Sequence, residues 1–164
     1  MNQLTIAGFD RCDFTNNPGD DNFAFTIWFS GCTHKCRDCH NVELWNKNSG
    51  DIYDVDAVLN IIKSTNAKYV VLLGGEPLQQ NPLSLFKLCD GLYNLGIKIW
   101  LYTGYDLDEV SQKHGNILQY LYTMKCGRYD YKLSKVNAFP ASLNQMLYRN
   151  FDGVWRQINI EREV

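Results

Sequence analysis

Residues 24–41 read AFTIWFSGCTHKCRDCHN. The first seven, Ala24 to Ser30, are mostly aromatic and β-branched and predict a strand ending at Gly31. Cys32, Cys36 and Cys39 follow at once in the spacing C-x3-C-x2-C, which puts the cysteines on a loop at a strand end. Three thiolates on one short loop can hold three corners of a cubane iron-sulfur cluster and leave the fourth iron without a protein ligand. The competing chemistry is zinc, with His34 or His40 as fourth ligand of a closed Cys3His site. Zinc sites usually draw on two separated pairs, and no second pair with C-x2-C or H-x3-H spacing exists in this chain, which favours the iron-sulfur reading.

Outward from this loop the chain alternates strand and helix signals. Asp54 is placed to cap a helix in which Val55, Val58, Leu59 and Ile62 keep the spacing of one buried stripe. Tyr69 to Leu73 (YVVLL) predicts a buried strand. The clearest helix signal comes next, with Asn81 as cap, Pro82 in the first turn, Leu85, Leu88, Cys89 and Leu92 on one face, and Gly96 as terminator. Ile97 to Tyr102 (IKIWLY) is strand-like, Asp106 opens a helix through Val110, and Ile117, Leu118 and Leu121 continue its spacing. Tyr122 to Cys126 and Val154 to Ile160 are weaker strands, and the turn formers Asn16 to Asp21 read as a surface loop. The order β-α-β-α-β-α-β with continuous apolar strands argues for a parallel sheet covered by helices. In such sheets ligands collect at the carboxyl ends of the strands, where Gly31, Gly74-Gly75 and Gly104 stand.

The 164 residues suffice for one compact domain, and 45% apolar with 21% charged residues is the composition of a folded globule. Sixteen basic against eighteen acidic residues give a net charge of −2, which argues against nucleic-acid binding. No stretch approaches the roughly 18 apolar residues of a membrane span, and Met1 to Arg11 lacks the pattern of a secretory signal. A cytoplasmic location is therefore expected. In that reducing compartment six cysteines are metal ligands, reactive thiols or core residues sooner than disulfide partners. Cys89 falls on an apolar helical stripe and reads as core, while Cys12 and Cys126 have no partner spacing.

Two further segments matter. Gly74-Gly75-Glu76-Pro77 follows the Tyr69 strand; its glycines would let a ligand approach the backbone, and its carbonyls and Glu76 can accept hydrogen bonds from an ammonium group. Ile99-Trp100-Leu101-Tyr102-Thr103-Gly104-Tyr105 closes the next strand. With the cysteine motif, these resemble the radical S-adenosylmethionine (SAM) superfamily, whose signature is C-x3-C-x2-C. The third segment, together with Cys39-His40-Asn41 running on to Trp45, Asn17-Pro18-Gly19 and Ser142-Leu143-Asn144-Gln145, looks like the activating component of anaerobic (class III) ribonucleotide reductase. The resemblance spans about residues 13–145. It departs at Asp38, where many members carry an aromatic residue, at His40 in place of Tyr or Phe, at Asn17 in place of glycine, and at Cys126-Gly127 in place of Asp-Gly.

The resemblance implies an α/β fold, an incomplete parallel (β/α) barrel of the radical SAM type, in a single domain over residues 1–164 with 146–164 as a C-terminal extension. It implies a [4Fe-4S] cluster on Cys32, Cys36 and Cys39, and SAM contacts from Asp38, Cys39, His40, Gly74, Gly75, Glu76 and Thr103, with Asp38 acting through its backbone. The implied activity is reductive cleavage of SAM to generate a glycyl radical on the large subunit of anaerobic ribonucleotide reductase. The electron would come from a low-potential donor such as flavodoxin or ferredoxin, and no catalytic acid or base is nominated. The alternatives are an activator of another glycyl-radical enzyme, a small-molecule radical SAM enzyme, and a zinc or iron-sulfur module without turnover.

Overall fold

The computed structural model describes residues 2–160. Its strands are β1 (Gln3–Asp13), β2 (Ala24–Phe29), β3 (Asp51–Asp54), β4 (Tyr69–Gly74), β5 (Lys98–Thr103), β6 (Leu121–Cys126), β7 (Met146–Phe151) and β8 (Val154–Ile158). The α-helices are α1 (Val55–Lys63), α2 (Pro82–Asn94) and α3 (Leu107–His114). All eight strands join one sheet in the order β3-β1-β2-β4-β5-β6-β7-β8. The centre, β2-β4-β5-β6, is parallel as the apolar runs predict. The flanks are not: β3-β1-β2 and β6-β7-β8 are antiparallel, so the domain is mixed α/β and the expectation of a wholly parallel sheet is corrected. The C-terminal segment adds β7 and β8 to this same sheet, and residues 161–164 lie outside the described residues.

The helices start where their caps dictate. The side chain of Asp54 accepts from the Asp56 amide and that of Asn81 from the Ser84 amide, and Asp106 and Glu109 form a reciprocal capping box. The stretch predicted to continue α3 is instead a 3-10 turn over Gly115–Tyr120, and Leu121 belongs to β6. All three helices cover one face of the sheet, where Val58, Ile62, Leu85, Leu88, Leu92 and Val110 pack on Phe25, Ile27, Phe29, Val70, Leu72, Ile99 and Leu101.

The alternate residues Ala24, Tyr69, Val71, Leu73 and Trp100 face the other side, which no α-helix among the described residues covers. Residues 13–22 close it, so the expected surface loop is partly buried. Trp100 Nε1 donates to Asp20 Oδ2 at 2.7 Å, Tyr69 OH donates to Asp21 Oδ1 at 2.9 Å, and Asn17 is 3% exposed. The polar side chains that mark a turn in sequence here satisfy the indole and phenol groups of the core face. Burial raises the Asp13 carboxyl, but hydrogen bonds from Thr26, Asn16 and Thr15 outweigh it and leave the group below its ordinary range. Among the described residues no helix is long and apolar enough to cross a membrane.

Leu88 lies fully buried between α2 and the sheet. Leu88→Ala is expected to lower stability by roughly 2–5 kcal/mol, read as a lower denaturant midpoint at unchanged slope.

Candidate functional site

The four parallel strands end on one side of the sheet, and all four ends line a single cavity of about 600 Å³. After β2 come Cys32, His34, Cys36, Cys39 and His40; after β4, Gly74, Gly75 and Glu76; at β5, Thr103 and Gly104; after β6, Gly127, Arg128 and Tyr129. The far wall comes from 134–141, and Asn16 and Trp28 contribute from the helix-free face. Such a volume is within the usual range for small-molecule pockets.

The cysteine loop is held by backbone and amide groups. Gly31 donates to Leu44 O at 2.8 Å, Cys32 to Trp45 O at 3.1 Å, and Cys39 to Cys36 O at 3.2 Å. Lys35 and Asp38 take left-handed conformations, with φ of 50° and 56°, which tightens the turns around Cys36. Two adjacent glutamines stitch the loop to the turn after β4. Gln79 Oε1 accepts from the Thr33 amide at 2.9 Å, and Gln80 Nε2 donates to Ser30 O at 2.9 Å. Neither glutamine was singled out by sequence, because amide bridges across some fifty residues leave no local pattern.

Glu76 is 1% exposed, and both of its oxygens are filled by the protein. Oε1 accepts from the Leu78 amide at 3.1 Å and Thr103 Oγ1 at 2.8 Å; Oε2 accepts from the Gly104 amide at 2.8 Å and meets His34 Nε2 at 2.9 Å. Arg128 Nε donates to His34 Nδ1 at 3.1 Å, which requires a lone pair there and so assigns the His34 proton to Nε2, facing Glu76. The carboxylate expected to receive a ligand's ammonium group is instead a junction joining the cysteine loop, the glycine turn and the end of β5.

The glycines have a related explanation. A Cβ on Gly74 would stand 2.5 Å from both the backbone N and O of Phe29, and one on Gly75 would stand 2.5 Å from Gly31 O. A Cβ on Gly104 would stand 2.5 Å from His34 Cδ2. What approaches these glycines on that side is the protein itself, the β2 backbone at Gly74 and the cysteine segment at Gly75 and Gly104, while all three also line the cavity. Asp38 does not line it. Its exposed carboxylate lies 3.9 Å from exposed Arg37, while His40 lines the wall and packs 4.9 Å from the Tyr129 ring.

Lys125 also escaped the sequence reading, being one charged residue within a mostly apolar strand. Its Nζ lies 4.5 Å from the Tyr102 ring centroid on the cavity wall. Burial pushes the ammonium down to about 8, opposed by the Cys39 thiolate charge. Burial pushes Cys32 above the ordinary thiol range, so metal loading there must expel a proton. Cys89 and Cys126 are buried and pushed up to about 12, as inert core thiols.

The donor set fits an iron-sulfur cluster. Three half-buried thiols open onto one cavity, and in a cubane each binds a different iron. A closed tetrahedral zinc site would need His34 or His40 as its fourth ligand. His34 is engaged by Glu76 and Arg128.

Comparison with known proteins agrees. A family model described as a 4Fe-4S single cluster domain matches residues 18–148. The anaerobic ribonucleoside-triphosphate reductase-activating protein of Enterobacteria phage T4 is 31% identical over 157 residues, covering 90% of this chain and 97% of that protein. Its counterpart in Escherichia coli K12 is 31% identical over 125 residues, covering 71% and 79% respectively. The solved structure of QueE from Escherichia coli aligns with a TM-score of 0.50 at 20% identity, covering 62% of this chain and 52% of that one, and shows a shared fold. Fold and site together define a mixed α/β protein built around a single [4Fe-4S] cluster. The chain belongs to the family of anaerobic ribonucleoside-triphosphate reductase-activating proteins.

Because Gly75 faces backbone atoms that cannot swing aside, Gly75→Ala is expected to displace the Gly31–Cys32 segment. Iron and sulfide per chain after anaerobic reconstitution should fall, while the thermal transition of the apoprotein persists.

Proposed function

We propose that this protein activates an anaerobic ribonucleoside-triphosphate reductase by reductive cleavage of SAM, forming a glycyl radical on that enzyme. The observation that carries the reading is the convergence of the cysteine loop, the Gly74-Gly75 turn and the end of β5 on one cavity. Cys32, Cys36 and Cys39 are the cluster ligands. SAM takes the cavity beside them, against the backbone of Gly74 and Gly75, with Cys39, His40 and Thr103 on its walls and Lys125 drawing its anionic group. Asp38 acts from outside the cavity through the backbone of the loop. Glu76 is a positioning residue, holding the turn and the loop in register. The sheet then serves as an incomplete barrel of the radical SAM type, with the whole chain acting as one domain.

Held by Cys32, Cys36 and Cys39, a reduced cluster would supply the one electron needed for reductive cleavage of SAM to methionine and a radical able to take a hydrogen atom from a glycine. The chain's own task is to hold both groups, orient them and exclude water and oxygen until the reductase arrives. Residues 134–141 form a cavity wall whose exposed Val136 stands ready to meet that partner. The partner's glycine loop completes the site. A reducing, oxygen-poor cytoplasm suits both the thiols and the radical.

Cys36→Ala is expected to lose the four-iron cluster and all glycyl radical formation, whereas Cys89→Ala, altered in the helical core, should keep both. The checks are iron content and electron paramagnetic resonance of the cognate reductase after incubation with reduced protein and SAM. A glycyl signal that never appears despite 5'-deoxyadenosine formation would reassign the target to another glycyl-radical protein or a small molecule.

A further inference from the structure

The charge of this protein is unevenly placed. Residues 30–47 and 125–145, which build the cysteine loop and the segment beside it, carry seven of the sixteen basic residues and three of the eighteen acidic ones. The remainder carries nine basic against fifteen acidic residues. Within the basic region, Lys35 and Arg37 flank Cys36 and are exposed, and Arg37 lies 4.5 Å over the Tyr131 ring. Lys132 reaches the same ring at 6.0 Å. Two cations thus share one aromatic ring on the outer surface. The local acids do not cancel them: Asp38 lies 3.9 Å from Arg37 with both side chains well exposed, a pair worth little in water, and Asp130 caps the Lys132 amide.

The placement of this patch relative to the cavity is the deciding observation. Cys32, Cys36 and Cys39 line the cavity, but Lys35, Arg37, Tyr131 and Lys132 do not. The patch therefore lies outside the cavity, where the loop that carries the thiols meets the Tyr131–Leu133 turn. A glycine must enter the cavity to react, but an electron needs only a short path through the loop. We infer that Lys35, Arg37 and Lys132 form the docking surface for an acidic one-electron carrier protein that reduces the cluster from outside the cavity. The inference rests on the cluster assignment proposed above.

Charge complementarity of this kind acts mainly on association rate and suits the small, transient interfaces of electron-transfer partners. The Tyr131 ring holds the Arg37 guanidinium in place before binding, which reduces the ordering cost on docking.

The test is anaerobic stopped-flow of the reconstituted full chain, following cluster absorbance on mixing with a reduced flavodoxin of net negative charge. Photoreduced deazaflavin, small and uncharged, serves as the reference reductant. For the native chain the flavodoxin rate should fall steeply with salt. Lys35→Glu, Arg37→Glu and Lys132→Glu combined should lower it about tenfold or more at low salt and abolish the salt dependence, leaving deazaflavin reduction unchanged. The corresponding Gln variants should fall between, and they replace the Glu set if its iron content drops. An unchanged flavodoxin rate overturns the proposal, as does an equal loss with both reductants. A loss confined to glycyl radical formation under deazaflavin also overturns it and assigns the patch to the reductase. A native chain that accepts no electron from deazaflavin refutes the cluster assignment itself.

Discussion

A carboxylate removed from water must be met by donors from the protein, because an uncompensated buried charge costs far more than any one contact returns. Glu76 meets this requirement with two backbone amides, a threonine hydroxyl and an imidazole, drawn from three segments distant in sequence. Hydrogen bonds to a charged group contribute roughly 1.5–3 kcal/mol each, so together they fix where these segments sit. Satisfying Glu76 places His34 against Gly104, and with it the loop that carries the cysteines. Arg128 extends the arrangement to the segment after β6 by fixing the His34 proton.

Three strand ends close in on one another because glycine removes the Cβ that would hold them apart. Gly74 admits the β2 backbone, Gly75 admits the Gly31 carbonyl, and Gly104 admits the His34 ring. The cavity is what remains between strand ends so joined, and the parallel centre of the sheet supplies all four of them on one side. The antiparallel flanks do different work. β1 and β3 extend the sheet beyond β2, while β7 and β8 cover the outer edge of β6. The helix-free face is closed by the 13–22 segment instead, through side-chain oxygens paired with tryptophan and tyrosine.

Legibility in sequence followed the range of the forces involved. The four central strands and the starts of the helices were readable because continuous apolar runs and capping side chains act within a few residues. The segments β1, β3 and β7 were not, since Gly8, Asp10 and Arg11 interrupt the first, β3 is a mostly exposed edge strand, and β7 mixes polar with apolar residues. Such strands owe their existence to a partner strand, not to their own composition.

At the site, the spacing Cys32, Cys36, Cys39 by itself showed that three thiols on one short loop can reach three irons without help from the rest of the chain, and the match to a 4Fe-4S single cluster domain agrees with it. The Gly74-Glu76 turn was visible too, but its meaning was decided by tertiary structure. Only the fold shows that Glu76 is saturated by protein donors, that the glycines admit protein backbone, that Asp38 points away, and that Lys125, Gln79 and Arg128 belong to the site. The physical reason is that local spacing specifies which atoms a short loop can present. Burial, hydrogen-bond saturation and charge placement depend instead on segments separated by tens of residues, which meet only when the sheet has formed.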